Sequence, residues 1–136
     1  MKTLILLLLF GLPAPALSQA AECPLKGTWK SDSARTLADI AANNAMSSRA
    51  LNVFSDDVFG HMIHEWSCTD LRAWLDHGER PEPVLYRVAT QTSESLLVTF
   101  PKGDEADLTL MLEGECYKIR FGDRKYFEYF CPVQLP

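Results

Sequence analysis

The sequence predicts a mainly-β fold: an antiparallel meander closed into a small barrel, with a helix or helical hairpin inserted after the first strand. Three observations carry this reading. From His61 onward, apolar residues recur with period 2, the spacing of half-buried strands. Turn signals rich in Gly and Pro interrupt these runs about every 8–12 residues, as in sandwiches and barrels. Before His61, Leu51, Phe54 and Val58 are spaced by three and four residues, which is one stripe of a helix.

Residues 1–20 read as a secretory signal. Lys2 gives the positive start and residues 4–12 form an unbroken apolar run. Pro13 and Pro15 end the run, and Ser18-Gln19-Ala20 puts small residues where a signal peptidase reads. The run is about half the ~20 residues of a spanning helix. Cleavage after Ala20 and export to the periplasm or cell exterior are therefore expected, with no transmembrane segment in the mature chain. Cys23 lies too far from the cleavage point to be a lipid anchor.

The remaining elements follow in order. Gly27 starts a short strand that carries Trp29. Thr36 or Ser33 can cap a helix beginning near Leu37, with Asp39 in its first turn, and Ser47 or Ser48 can cap a second helix that Gly60 stops. Residues 36–59 thus form a helical hairpin or one broken helix. Residues 61–68 and 71–75 are candidate strands, and residues 78–83 a loop. Residues 84–90 alternate as the next strand. Leu96, Val98 and Phe100 share one face of another, and Pro101-Lys102-Gly103-Asp104 is a turn. Leu108, Leu110 and Leu112 mark an inner face. Tyr117, Ile119 and Phe121 mark the next, with Lys118 and Arg120 pointing outward. Residues 126–131 complete about eight strands. Consecutive hairpins give a meander, and closing it removes the exposed edges of an open sheet.

The chain has 136 residues, 47% of them hydrophobic, with a formal net charge of -5. One globular domain over residues 21–136 follows. The acidic balance argues against nucleic acid as a partner, which would call for a basic face.

All four cysteines lie after the signal, and an even count in an exported chain implies two disulfides. Gly122-Asp123-Arg124-Lys125 resembles a turn between two aromatic-rich runs. With Phe121 opposite Tyr126, the same register sets Cys116 directly opposite Cys131, within disulfide reach. Cys23 with Cys68 follows by elimination. Metal binding by thiols is disfavoured, because no C-x-x-C pair is present.

Gly27-Thr28-Trp29 on the first strand, followed by a meander, resembles the lipocalin-like (calycin) proteins. The longer run at residues 27–37, Glu113-Gly114-Glu115-Cys116-Tyr117, and Phe127-Glu128-Tyr129-Phe130-Cys131 are together similar to small exported lipocalin-like proteins of bacteria whose function is unassigned. The resemblance implies a barrel with Trp29 packed across one end and room for a small apolar ligand. Two features depart from it. The mature chain is shorter than a typical lipocalin, and its helix follows the first strand rather than the barrel.

Chemistry-bearing residues are few. His61 and His64 would share a helix face, but on a strand they point to opposite faces and cannot chelate. Ser67, His64 and Asp70 are close in sequence yet lack a nucleophile elbow. The carboxylate pairs Asp56-Asp57, Glu79/Glu82 and Glu113/Glu115 read as solvated surface. Glu128 is different: if Tyr126 and Phe130 face inward, so does Glu128, and an inward carboxylate must be paired, hydrogen-bonded or wet. Tyr86, Tyr117, Phe121, Tyr126 and Phe130 form an aromatic set on inner faces, either packed core or ligand lining. Trp66 and Trp74, if exposed, form an apolar patch suited to a partner protein or a ligand rim. No catalytic constellation, cofactor or metal is expected. Two functions remain. One is a soluble exported binding protein for a small apolar ligand, lined by Trp29, the aromatic set and Glu128. The other is a disulfide-stapled interaction module, an envelope factor or inhibitor, with a filled barrel.

Overall fold

The computed structural model describes residues 23–54, 58–103 and 105–134. The signal-like segment and Asp56-Asp57 lie outside the described residues. Among the described residues, nine antiparallel strands form one sheet: β1 (Gly27–Ser31), β2 (Met62–Trp66), β3 (Asp70–Leu75), β4 (Val84–Leu85), β5 (Arg87–Gln91), β6 (Ser95–Thr99), β7 (Leu108–Glu113), β8 (Cys116–Ile119) and β9 (Glu128–Pro132). Their spatial order is β4-β3-β2-β1-β9-β8-β7-β6-β5. The first and last strands pair in the middle of the sheet, so the two edges, β4 and β5, are consecutive in the chain. Eight antiparallel steps separate them, so both run the same way. They are one path of chain interrupted at Tyr86, whose first part pairs with β3 and whose second pairs with β6. The expected single strand over residues 84–90 is therefore divided, and the division nearly closes the barrel.

Tyr86 pins this seam. Its backbone N–H donates to Thr69 O (3.0 Å) and its phenol donates to Ser67 O (2.7 Å). Both acceptors belong to the β2–β3 turn.

Two helices follow β1: α1 (Ser33–Ala42) and α2 (Ser48–Phe54). α1 starts earlier than the expected Leu37. Asp32 caps it, accepting the Arg35 N–H at 3.0 Å, because its carboxylate reaches an orphan donor of the first turn. Ser47 Oγ accepts the Ala50 N–H at 3.2 Å and caps α2. Thr36, expected as a possible cap, is instead buried within α1. Asp32 N donates to Tyr129 O, Thr36 Oγ1 accepts the Tyr129 N–H (3.1 Å), and Asp39 Oδ2 accepts the Phe127 N–H (2.8 Å). The helix thereby continues along β9 where β1 stops and satisfies backbone donors that would otherwise be bare. Val58, expected on the apolar helical stripe, is 45% exposed beyond α2.

Gly60 has φ +92°, which few other residues adopt, and its N–H donates to Ser31 Oγ. The β7–β8 turn is the two-residue loop Gly114-Glu115, with Gly114 at φ +60°.

Inner-face residues from every side of the barrel pack into one core around Trp66, Tyr86, Leu96, Val98, Leu110, Tyr117, Ile119 and Phe130. A smaller cluster of Ile40, Phe59 and Tyr126 joins the helices to the barrel. Leu112, expected inward, is 38% exposed at the end of β7. Both expected disulfides form: Cys116–Cys131 and Cys23–Cys68. The expected register holds, with Tyr117 opposite Phe130 and Ile119 opposite Glu128. Among the described residues, no helix is long and apolar enough to cross a membrane.

Candidate functional site

The barrel is solid at one end and hollow at the other. At the solid end the Cys23–Cys68 disulfide ties the N-terminal segment to the β2–β3 turn. Trp29 Nε1 donates to Leu25 O (2.8 Å), and its ring lies 4.8 Å from that of Tyr117. At the other end opens a cavity of about 530 Å3. Its apolar walls are Met62, Leu71, Val84, Phe100, Leu108 and Phe121, inner-face positions of four strands and of the segments that follow β6 and β8. Glu82, Glu105, Asp107 and Arg120 stand among the lining residues, so the charged groups of this site are mainly acidic. The Arg120 guanidinium lies 4.4 Å from the Phe127 ring centroid, which holds the cation against the outer face.

His64 lines the same cavity and is 3% exposed. Its ring stacks on Phe130 with centroids 4.1 Å apart. Trp66 Nε1 donates to the Tyr117 hydroxyl (3.0 Å), which lies 2.8 Å from His64 Nδ1. Indole N–H can only donate. Tyr117 is fully buried, so its own proton must also find an acceptor, and His64 Nδ1 is the one within reach. Donation from Tyr117 to Nδ1 places the imidazole proton on Nε2. Burial pushes the His64 pKa down to about 3, so the ring stays neutral. The same burial pushes the Tyr117 phenol up, keeping it protonated. That tautomer leaves Nε2–H as the ring's remaining donor, on a neutral, pre-oriented side chain that lines the cavity.

Of the residues expected from the sequence as ligand lining, Phe121 lines this cavity and the others do not, while His64 and Glu82, singled out for other chemistry, line it as well. Tyr117 and Phe130 lie beneath it in the packed core, Tyr86 holds the seam, and Trp29 packs at the solid end. Tyr126 belongs to the helix-side cluster, with its ring 5.7 Å from Phe59. Glu128 does face inward and is 7% exposed. Its Oε1 accepts from Ser31 Oγ at 2.7 Å, and burial raises its pKa against the opposing effects of that bond and of Arg124. It borders a second pocket of about 350 Å3, shared with Phe59, Met62 and Leu75.

Trp66, expected at an exposed patch, is 2% exposed, because its strand face points into the barrel. Trp74 is half-buried on the outer face, 5.8 Å from the Arg80 guanidinium, which also pairs with Glu65. The two tryptophans are not brought together. Lys118 lies over Phe127 and Tyr129, giving the outer face cation–π contacts. Ser67 Oγ accepts the N–H groups of Thr69 and Asp70 within its turn, while His64 is bound to Tyr117, so these side chains form no nucleophile–base pair.

Sequence reasoning missed Met62, Leu71, Val84, Phe100 and Leu108 as cavity walls, although alternation had put several of them on inner faces. It also missed the Trp66–Tyr117–His64 chain. Only the shared parity of His64 and Trp66 hinted at it, since Tyr117 comes from a strand on the far side of β1 and β9. No protein-family model, curated protein or solved structure matches this chain.

Proposed function

We propose that this chain is a lipocalin-like exported binding protein for a small apolar ligand that carries a neutral hydrogen-bond acceptor. The observation that carries the reading is the cavity of about 530 Å3 with apolar walls and the His64 imidazole as its deeply buried polar group. Such a site fits a small organic molecule: apolar surface for affinity and one placed donor for orientation. The interaction-module alternative expects a filled barrel, and the hollow end favours the carrier. Two disulfides and a signal-like leader agree with export.

The charge around the cavity narrows the ligand class. A carboxylate would lose water on entry and meet a neutral donor rather than a cation, with Glu82, Glu105 and Asp107 nearby. A ketone, ester, ether or alcohol keeps the acceptor without that cost. The test is a titration of the oxidised mature protein with matched pairs of one chain length, a fatty acid and its methyl ester, read by tryptophan fluorescence and native mass spectrometry. The ester should bind more tightly by about tenfold, the ratio that 1.4 kcal/mol of charge desolvation produces. Ala73→Trp, which fills the cavity wall, should abolish binding without unfolding the chain. Failure of every apolar probe to bind would end the carrier reading.

A further inference from the structure

A separate cluster lies where β2 and β3 meet the helix-side end of the barrel. His61 precedes β2, and Asp76 and His77 follow β3. Asp76 N donates to His61 O (2.8 Å), which extends the ladder and sets these residues side by side. Asp76 Oδ1 lies 3.1 Å from His61 Nδ1 and 3.1 Å from His77 Nδ1. One ligand atom from each residue falls within 4.8 Å of the others. We propose that His61, Asp76 and His77 form a surface site for a borderline divalent ion of the Zn2+ or Cu2+ class, bound through two imidazole nitrogens and one carboxylate oxygen.

The donor chemistry selects the ion. Two imidazoles and a carboxylate suit zinc and copper, whereas calcium and magnesium prefer oxygen alone. The spacing agrees. Around a tetrahedral ion with bonds of about 2.0–2.1 Å, neighbouring donors stand about 3.3 Å apart. Both nitrogen-to-Oδ1 separations are already close to this. The His77 side chain is 67% exposed, so it can turn to close the remaining gap between the nitrogens. Lys30 Nζ lies 3.0 Å from Asp76 Oδ2, the other carboxylate oxygen. That contact leaves Oδ1 to the ion and orients the carboxylate, as outer partners do in metal sites. Asp76 is held well below the usual carboxylate range, chiefly by its bond to Lys30, so it offers a charged oxygen with no proton to expel. The imidazoles must each present an unprotonated Nδ1, with the ring proton on Nε2. His61 and His77 also border the 350 Å3 pocket that Glu128 shares, so the ion would stand at the wall of that pocket. This site is independent of the apolar cavity and of what fills it.

The experiment is a titration of the oxidised full-length mature chain with Zn2+ alone at pH 7.5, in competition with a chromophoric chelator. Cu2+ is added in parallel for electron paramagnetic resonance. One Zn2+ per chain is expected, with a Cu2+ spectrum showing two coupled nitrogens. His77→Ala sits on an exposed turn and should weaken Zn2+ at least about tenfold with an unchanged melting temperature, as two ligands no longer enclose the ion. His61→Ala should do the same. Absence of stoichiometric binding, or binding equally strong in both variants, would overturn the proposal.

Discussion

At the residue scale, the chain Trp66–Tyr117–His64 converts an ordinary buried histidine into a fixed donor. Each link is forced by the inventory of its neighbour: an indole that only donates, a phenol that must both accept and donate, and an imidazole left as acceptor at Nδ1. This arrangement has a pH signature. The unfolded chain protonates this imidazole near its ordinary value of 6.5, whereas the folded chain resists until about pH 3. Between those values the unfolded state binds more protons, so stability falls as pH is lowered, by at most about 1.4 kcal/mol per pH unit. Glu128 acts in the opposite sense. Its raised folded value lets the native state hold the extra proton just above the usual carboxylate range, so there stability rises as pH falls. His64→Gln keeps an acceptor for Tyr117 but cannot titrate. Its melting temperature should decline less than that of the unmodified protein between pH 6.5 and 4, and parallel curves would refute the assignment. The inward parity of Glu128 was legible because alternation survives in β9. The partner of His64 was not, because hydrogen bonding between distant strands leaves no local pattern.

At the element scale, α1 takes over the hydrogen bonding of β9 where β1 ends. Thr36 and Asp39 accept the N–H groups of Tyr129 and Phe127. In the sequence these two residues look like helix-start signals, and their sheet-facing role appears only once α1 is laid against β9. Thr36→Val preserves shape and removes the acceptor, so it should cost about 1–3 kcal/mol in urea unfolding, the penalty for a stranded buried donor. A cost below about 0.5 kcal/mol would mean that water replaces the hydroxyl. The disulfides also act on elements. Cys116–Cys131 spans 15 residues across the β8–β9 hairpin, and Cys23–Cys68 spans 45. Loop-closure entropy assigns them about 3 and about 4 kcal/mol. Replacing both cysteines of a pair with serine should therefore be worse for Cys23/Cys68 by about 1 kcal/mol in chemical denaturation. The reverse order would show that the hairpin bond also holds the barrel register. The hairpin pairing was readable because turn and register are local. The longer bond came only from counting cysteines.

At the scale of the whole molecule, closure is incomplete at one place, and that place is in the middle of the chain. β1 and β9 bring the two ends of the domain together at the centre of the sheet, so the weak joint falls between β4 and β5. β4 has two residues, and all five residues of β5 are exposed. Tyr86, between them, is anchored to the β2–β3 turn through its own backbone and phenol. Hydrophobic patterning could not reveal this seam, because residues 84–90 alternate without a break while their pairing partner changes. Local opening free energy follows burial and the number of hydrogen-bonded neighbours. Native-state hydrogen exchange should therefore be fastest, among the strands, at β4 and β5 and slowest at β1, β2 and β9. Val84 connects this gradient to function, since it belongs to β4 and also lines the cavity. A ligand filling the cavity packs against Val84 and disfavours opening of the seam. It should thus slow exchange at Val84 and Leu85 while leaving the β8–β9 hairpin unchanged. Uniform slowing across all strands would instead indicate that the ligand stabilises the barrel globally, with entry elsewhere than the seam.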